Sequence, residues 1–275
     1  MLGNPVLDCI MGRRSIRKYR EEQPEDEVLE AVVRAGQQAP FAMQMGSLLL
    51  SRDIDANVFR APLMFTVCAD VHRMEKVMEA RGWKRTASDA YTLLFAVQDA
   101  SYMAQNMVIA GESLGLGSCY IGAAPFMVSR IRERYGLPDR VFPLVLLTMG
   151  YPAEDPPVRP RYPLEFHLFE DSYPEMDRET VRRAMEIMDS GYLEQDYYRK
   201  ANYMIALPEG MEETFDFDSY SWTEHISRKL GLWGGDHEEV LRNVRRCGFR
   251  VCGEVEDSTD PQAEGDRKTG RGRTD

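Results

Sequence analysis

Apolar residues recur at every third or fourth position in several stretches of the chain, which is the spacing of one face of an α-helix. The first stretch follows Asn4 and Pro5, a favourable helix start, and ends at Gly12. The second carries a stripe of valine and leucine and ends before Pro40, because proline disfavours a helical residue ahead of it. The same spacing predicts further helices over residues 71–83, after Pro125 and over residues 175–190.

The longest helical pattern runs from Ser88 to Leu116 and is interrupted only by Gly111. At 1.5 Å per residue, a helix of this length spans roughly 40 Å. Its residues are apolar on nearly every side, so we expect a central helix that is buried on several sides. Gly115 and Gly117 then end the helix.

Short apolar runs flanked by helix breakers predict buried strands. Four runs have this character, at residues 47–52, 61–70, 118–122 and 141–151. Helices and strands therefore alternate along the chain. That alternation, taken alone, favours an α/β protein with a parallel sheet.

The composition argues against several classes of protein. With 275 residues, of which 43% are hydrophobic, the chain can bury one core. Its net charge of −11 argues against a general nucleic-acid binder, and it contains no apolar run long enough to span a membrane. The N-terminal residues lack the pattern of a signal peptide, and the five cysteines form no CxxC pair. We therefore expect reduced thiols in a cytoplasmic protein with no nucleic-acid or membrane partner.

The C-terminal part of the chain differs in composition from the rest. A proline-rich connector at residues 152–163 follows the last predicted strand. We expect residues 1–170 to form the main domain, and residues 171–252 to form a helical, aromatic arm that packs on this domain or on a second subunit. Residues 253–275 have almost no aliphatic side chains and are predicted to be disordered.

Positive charge is concentrated in two short stretches of this acidic chain. One is the connector, which contains Arg159 and Arg161, and the other is residues 13–20, which also offer the hydroxyl of Ser15. The basic residues of the latter stretch are Arg13, Arg14, Arg17, Lys18 and Arg20. Because guanidinium groups bind phosphate through bidentate, charge-assisted hydrogen bonds, the two stretches predict a phosphomonoester site. The alternative is solvated surface charge, since sequence spacing alone does not bring the stretches together.

The glycines after the long helix fit no phosphate-binding motif. Gly115, Gly117 and Gly122 match neither GxGxxG nor GxxxxGK, and they run from helix into strand, the reverse of a dinucleotide site. Two interpretations stay open: a helix stop with close backbone packing, or a glycine backbone that lies near a flat ligand. The histidines and cysteines show no spacing typical of a hydrolytic or metal site.

Four stretches, in order along the chain, resemble the nitroreductase-like FMN-dependent oxidoreductases. They are residues 13–19, 35–47, 99–122 and 136–161. The first has the pattern R-R-S-x-R-x-F/Y, and the last has G-x-P, then L-x-x-G-Y-P-x-E-x-P and a late arginine. The resemblance covers roughly residues 5–170. It implies an α+β, nitroreductase-like three-layer fold, in which a mixed, mainly antiparallel sheet is flanked by helices, and an intertwined homodimer. We take this fold over the parallel α/β class.

The resemblance also implies that both basic stretches bind FMN, so that residues 1–170 form an FMN-binding domain. The phosphate and ribityl end would be held by Arg13, Arg14 and Ser15, with closure by Arg159 or Arg161. Arg17 would lie near the N1/C2=O edge of the isoalloxazine, where a cation stabilises the negative charge that reduction places on N1.

Two further stretches would contact the flavin ring. The residues that would reach the ring from the partner subunit are Pro40, Phe41, Ala42 and Gln44. The residues that would place backbone against the ring are Tyr120, Ile121 and Gly122. The chain departs from the family pattern at Phe41, where serine is usual, and at Gln44, where asparagine is usual. Gln44 still offers an amide, whereas the Phe41 side chain forms no hydrogen bond.

The function implied by the resemblance is that of an FMN-dependent NAD(P)H oxidoreductase. Hydride from NADH or NADPH would enter flavin N5 and pass to a flat small-molecule acceptor such as a nitroaromatic, a quinone or an enone. Because the flavin carries the chemistry, no catalytic side chain is expected. Two alternatives stay open: a flavin-dependent dehalogenase or dehydrogenase of one specific metabolite, which the long arm would suit, and a non-enzymatic FMN-binding protein.

Overall fold

A computed structural model describes residues 3–232, 236 and 238–251. The α-helices in these residues are α1 (Pro5–Gly12), α2 (Asp26–Gln37), α3 (His72–Ala80), α4 (Asp89–Ser113), α5 (Val128–Tyr135), α6 (Arg178–Glu194), α7 (Tyr197–Ala201), α8 (Trp222–Gly231) and α9 (Glu238–Arg246). Each predicted helix is therefore present. Pro125, however, lies in a short 3₁₀ turn, and the helix expected after it begins at Val128. None of the helices in the described residues has the length and hydropathy needed to cross a membrane.

The strands in the described residues form one sheet in the order β1-β2-β4-β3, and every neighbouring pair is antiparallel. The strands are β1 (Gly46–Ser51), β2 (Leu63–Asp70), β3 (Gly117–Ile121) and β4 (Val141–Gly150). The α+β class implied by the resemblance is confirmed, and the parallel sheet favoured by the alternation of elements is wrong. The physical reason is visible between β1 and β2, whose connection contains one 3₁₀ turn and no crossover helix, as an antiparallel pair permits.

Helices cover both faces of this sheet. Leu63, Phe65 and Val67 of β2 pack against α2 and α4 on one face. Met64 points to the opposite face, where it meets Ile131 of α5. All eight residues of β2 are buried, because the strand is covered on both sides. The result is a three-layer arrangement of helix, sheet and helix.

Helix α4 is the central helix, and it is buried on one side only. Residues such as Ala100 and Met107 face the sheet and are fully buried. On the other side Tyr91, Leu94 and Tyr102 are exposed, so the expectation that this helix is buried on several sides is wrong for a single chain. The sheet and α2 cover only part of its circumference.

The basic stretch of residues 13–20 is extended and lies along the end of the sheet. Ile16 is 3% exposed, and its N–H donates a 2.9 Å hydrogen bond to the carbonyl of Ser118. A Cβ atom on Gly117 would lie 2.4 Å from Cγ1 of Ile16, so only glycine admits this approach. The sequence thereby anchors one apolar side chain in the core and leaves the flanking arginines free to form a site.

The C-terminal residues pack against the rest of the chain in two places. Helices α6, α7 and α8 form an aromatic cluster that contains Tyr192, Tyr198 and Trp222. The segment from α9 onward joins a second core cluster through Cys247 and Phe249. The division at residue 170 stays a prediction. The tail of residues 253–275, predicted to be disordered, lies outside the described residues.

Candidate functional site

Six of the predicted site residues line one cavity of about 240 Å³, which we name the cationic cavity. They are Arg13, Arg14, Ser15, Arg17, Arg159 and Arg161. The two basic stretches, far apart in sequence, therefore meet in space. The remaining lining residues were not anticipated from the sequence, and they are Pro156, Pro157, Tyr192 and Tyr197.

The loop after β4 aligns the basic stretch along the cavity. Both the Arg17 and the Lys18 N–H groups donate to Oε1 of Glu154, at 2.5 and 3.0 Å. Arg14 forms an ion pair with Asp155. The carboxylates of this loop thus fix the backbone of the stretch and one of its side chains.

Most of the positive charge in the cationic cavity has no acidic partner. Among the described residues, neither Arg13 nor Arg17 forms a side-chain ion pair or hydrogen bond. Within the part of the chain that the structure describes, the Arg161 guanidinium donates only to the carbonyl oxygens of Arg159 and Pro160. Nε of Arg14 is buried, and no described residue forms a hydrogen bond with it. A phosphomonoester, with a charge of about −1.5 to −2 at pH 7 and several acceptor oxygens, fits this donor set.

Groups beside the arginines are shifted toward their neutral forms. Burial raises the pKa of Glu112, against the opposing effect of Arg13 and Arg14. Burial also raises the pKa of Tyr120 to about 12, although the charge of Arg13 lowers it. Burial thus makes both groups hold their protons more tightly than in water, despite the positive charge beside them.

The arm contributes directly to the cationic cavity. A Cβ atom on Gly191 would lie 2.5 Å from Pro160, so this glycine lets α6 approach the connector closely. Tyr192 and Tyr197 then form one wall. The density of tyrosines in residues 192–203 was the available sequence signal, but it did not indicate which face of the helices they occupy.

A second cavity of about 540 Å³ lies between α2, α4 and β1, and we name it the loop cavity. Pro40, Phe41 and Gln44 line it, as does the buried carboxylate of Asp99. Ala42 is exposed beside them, and Phe41 is 55% exposed. Within the described chain, the two cavities share no lining residue.

The third predicted group lies at the end of β3. Tyr120 and Ile121 are the last residues of the strand, and Gly122 follows in a turn. A Cβ atom on Gly122 would meet nothing within 4 Å, so this backbone faces open space. None of the three lines either cavity. Their flavin contacts, like those of the other site residues, stay predictions.

A sequence profile of the Nitroreductase family matches residues 10–52 and 49–151 of the chain. The matched part contains the basic stretch, the loop cavity and all four strands. The chain belongs to the nitroreductase family. Residues 159–197, which complete the cationic cavity, lie beyond the matched part.

Curated members of the nitroreductase family resemble most of this chain. It is 29% identical over 241 residues to the oxygen-insensitive NADPH nitroreductase of Salmonella typhimurium, which covers 82% of this chain and 91% of the relative. It is 36% identical over 210 residues to the Cr(VI) reductase of Pseudomonas sp. strain G-1, which covers 71% of this chain and 86% of the relative.

A solved nitroreductase structure shares the fold. The NfrA1 nitroreductase of B. subtilis superimposes with a TM-score of 0.74 at 25% identity, over 89% of this chain and 98% of that one. The similarity therefore extends well past residue 170 and includes part of the arm.

Proposed function

We propose that this member of the nitroreductase family is an FMN-dependent NAD(P)H oxidoreductase that reduces a flat acceptor such as a nitroaromatic, a quinone or an enone. The observation that carries the proposal is the cationic cavity, where five guanidinium groups and Ser15 converge. Relatives whose names specify NADPH nitroreductase and FMN reductase activity support the same reaction class.

The cationic cavity holds the FMN phosphate in this proposal. Arg13, Arg14 and Arg161 supply charge-assisted hydrogen bonds, and Ser15 adds a hydroxyl donor. Arg159, which lies in the connector, is a further donor that lines the same cavity. When bound, FMN would supply hydride transfer between NAD(P)H and the acceptor.

In this scheme the protein's own residues bind and orient the flavin, and none of them needs to transfer a proton. Arg17, which lines the cationic cavity, would supply a positive charge near the flavin ring and so favour the reduced cofactor. The open backbone at Gly122 leaves room for a flat ring.

The active form is a homodimer in this proposal. The apolar residues of α1 face outward, with Val6 58% and Met11 67% exposed, and Leu94 of α4 is 57% exposed. Apolar surface of this extent on two adjacent helices is typical of a subunit interface. The loop cavity is separate from the cationic cavity within one chain, so residues 40–44 reach the flavin bound by the partner subunit.

The proposal includes a cytoplasmic location. Cys9, Cys68, Cys119 and Cys247 are free thiols, and these are the cysteines that lie in the described residues. Free thiols are typical of a reducing compartment.

The test is to purify the protein and record its visible spectrum, before and after adding FMN. Bound flavin that is bleached rapidly by NADH or NADPH is the expected result, and it excludes a protein that only stores FMN. A protein that neither carries flavin nor takes it up would contradict the proposal. Comparing generic nitroaromatics and quinones with a panel of metabolites then separates a broad reductase from a dehalogenase or dehydrogenase of one substrate.

A further inference from the structure

Gln44 has an unusual backbone conformation for its residue type. Its φ angle is +53°, in the left-handed region that glycine adopts freely and that other residues adopt only at a cost. Its side chain is exposed, lines the loop cavity and forms no hydrogen bond with any described residue. A strained residue with an unused polar side chain points to a ligand rather than to the stability of the fold.

A buried carboxylate holds the backbone on both sides of Gln44. Asp99 of α4 is 4% exposed. Its Oδ1 accepts a 2.7 Å hydrogen bond from the Ala42 N–H, and its Oδ2 accepts the N–H groups of Met43 and Met45 at 3.0 and 2.9 Å. Hydrogen bonds to an ionised acceptor are stronger than those between neutral groups, so this carboxylate defines the path of the loop.

The guanidinium of Arg73 binds carbonyl groups of the same loop. Arg73 donates a 3.1 Å hydrogen bond to the Gln44 carbonyl and a further one to the Gly46 carbonyl. Its Nε lies 2.8 Å from Oδ2 of Asp70, which fixes the orientation of the guanidinium. The Asp70 N–H in turn donates to the Met45 carbonyl at 2.7 Å.

We propose that Asp99, assisted by Arg73, is a positioning residue that holds Gln44 in its left-handed conformation so that the Gln44 amide is presented to the edge of the flavin. A glycine at position 44 would follow the same path without strain, so the backbone path itself does not need the glutamine side chain. This inference rests on the proposed function, because it takes flavin to be the ligand that Gln44 meets.

The experiment is a double-mutant cycle on FMN affinity, with the full-length protein and FMN titration. The variants are Asp99→Asn, Gln44→Ala and their combination. Asparagine replaces one carboxylate oxygen of Asp99 with an NH₂ group. This NH₂ group then faces a backbone N–H, so hydrogen bonds that hold the loop are lost. Each single substitution is expected to raise the Kd for FMN about tenfold, the effect of one hydrogen bond.

The double variant shows whether Asp99 acts through Gln44. If Asp99 acts through Gln44, the double variant binds FMN about as weakly as either single variant, because the contact can be lost only once. A Kd raised about a hundredfold in the double variant would mean independent effects and would overturn the inference. If Asp99→Asn does not fold, the same cycle with Arg73→Ala replaces it, since Arg73 holds the same loop from outside.

Two controls separate positioning from general stability. Asp89→Asn makes the same charge change in a buried residue at the N-terminal end of α4, and it is expected to lower the melting temperature with no change in FMN affinity. Gln44→Gly relieves the backbone strain, so it should raise the melting temperature and still weaken FMN binding about tenfold. FMN bound by Gln44→Gly as tightly as by the natural protein would overturn the inference. The proposed function itself fails separately, if the natural protein binds no FMN.

Discussion

The guanidinium of Arg159 lies 4.2 Å from the centre of the Tyr197 ring and donates a 2.5 Å hydrogen bond to Oε1 of Gln195. The arm therefore orients one of the arginines of the cationic cavity. Tyr197 on α7 and Gln195 beside it are neutral, and both orient the Arg159 guanidinium. Substitutions of these residues should therefore change anion binding in the cationic cavity without altering its net charge.

Replacing Tyr197 with leucine should weaken FMN binding about two- to fivefold. The substitution removes a cation–π contact worth about 0.5–1 kcal/mol and frees the Arg159 side chain. Titration of the flavin-free protein with FMN measures the effect. Tyr203→Leu is the matched control, since Tyr203 lies in the same arm, is 55% exposed and does not line the cavity. Equal affinities for the two variants would show that the arm does not position Arg159.

Arg13→Ala should weaken FMN retention by about 1.5–3 kcal/mol, the range of a hydrogen bond to a charged group. Arg13 lines the cationic cavity and has no acidic hydrogen-bond partner among the described residues, so its charge is available to the phosphate. The control is Arg20→Ala, which removes an arginine of the same stretch that does not line the cavity. Unchanged FMN affinity in Arg13→Ala would exclude the phosphate role.

Arg17→Ala should lower the midpoint potential of the bound flavin by about 30 mV, which corresponds to about 1.4 kcal/mol for a two-electron couple. The lost positive charge no longer stabilises the reduced cofactor. Arg17→Lys keeps the charge and should leave the potential closer to its original value. A potentiometric titration of all three proteins measures this, and an unshifted potential in Arg17→Ala would remove the assignment of Arg17 to the ring.

Subunit complementation tests whether one site draws on two chains. In a mixed dimer of Arg13→Ala and Gln44→Ala subunits, one site receives both natural residues and the other receives both substitutions. Assayed at an FMN concentration that saturates the natural site but neither variant site, such a dimer should show about half the activity of the natural dimer. Differently tagged subunits, refolded together and purified through both tags, provide the sample. No recovery of activity would place Arg13 and Gln44 of the same chain at the same flavin.

The stability of the fold should depend on pH through the carboxyl group of Asp89. Burial raises the pKa of Asp89, but hydrogen bonds from Arg140 and from the Arg250 N–H, together with the charges of Arg140 and Arg85, outweigh it and lower the pKa to about 2. A folded pKa below the ordinary value means that Asp89 stabilises the fold near neutral pH. This contribution is lost as the pH falls from about 4 towards 2.

Urea denaturation of the natural protein and of Asp89→Asn measures this dependence. The difference in the free energy of unfolding should be about 2 kcal/mol at pH 7 and should shrink steadily below pH 4. A difference that stays constant from pH 7 to pH 3 would show that the Asp89 carboxylate keeps its ordinary pKa in the folded protein.

Local sequence signals predicted the elements and the basic half of the site, but not the relations between distant elements. Asn4-Pro5 starts α1 and an apolar run forms β4, because propensity and periodicity act over a few residues. Strand direction was missed, since it depends on how each connection crosses the sheet. The parallel arrangement was corrected only by the resemblance.

The unforeseen site residues are those whose role depends on a distant backbone. Asp99 looks like one polar residue on a largely apolar helix, and nothing nearby in sequence indicates that it binds residues 42–45. The positive φ of Gln44 was equally hidden, because glutamine has no preference for that conformation. Tyr197 could be recognised as aromatic but not as a wall of the cationic cavity.

The core cluster beneath the Gln44 loop is completed by residues from the far end of the described chain. Met45 packs in one cluster with Val244, Cys247 and Phe249. Since a chain emerges from the ribosome N-terminal end first, these three residues appear long after the loop that they support. The loop cavity, whose lining runs from Val33 to Met103, is therefore encoded early in translation but receives its final support late. A chain cut short before residue 244 would lack three of the buried residues that pack in one cluster with Met45.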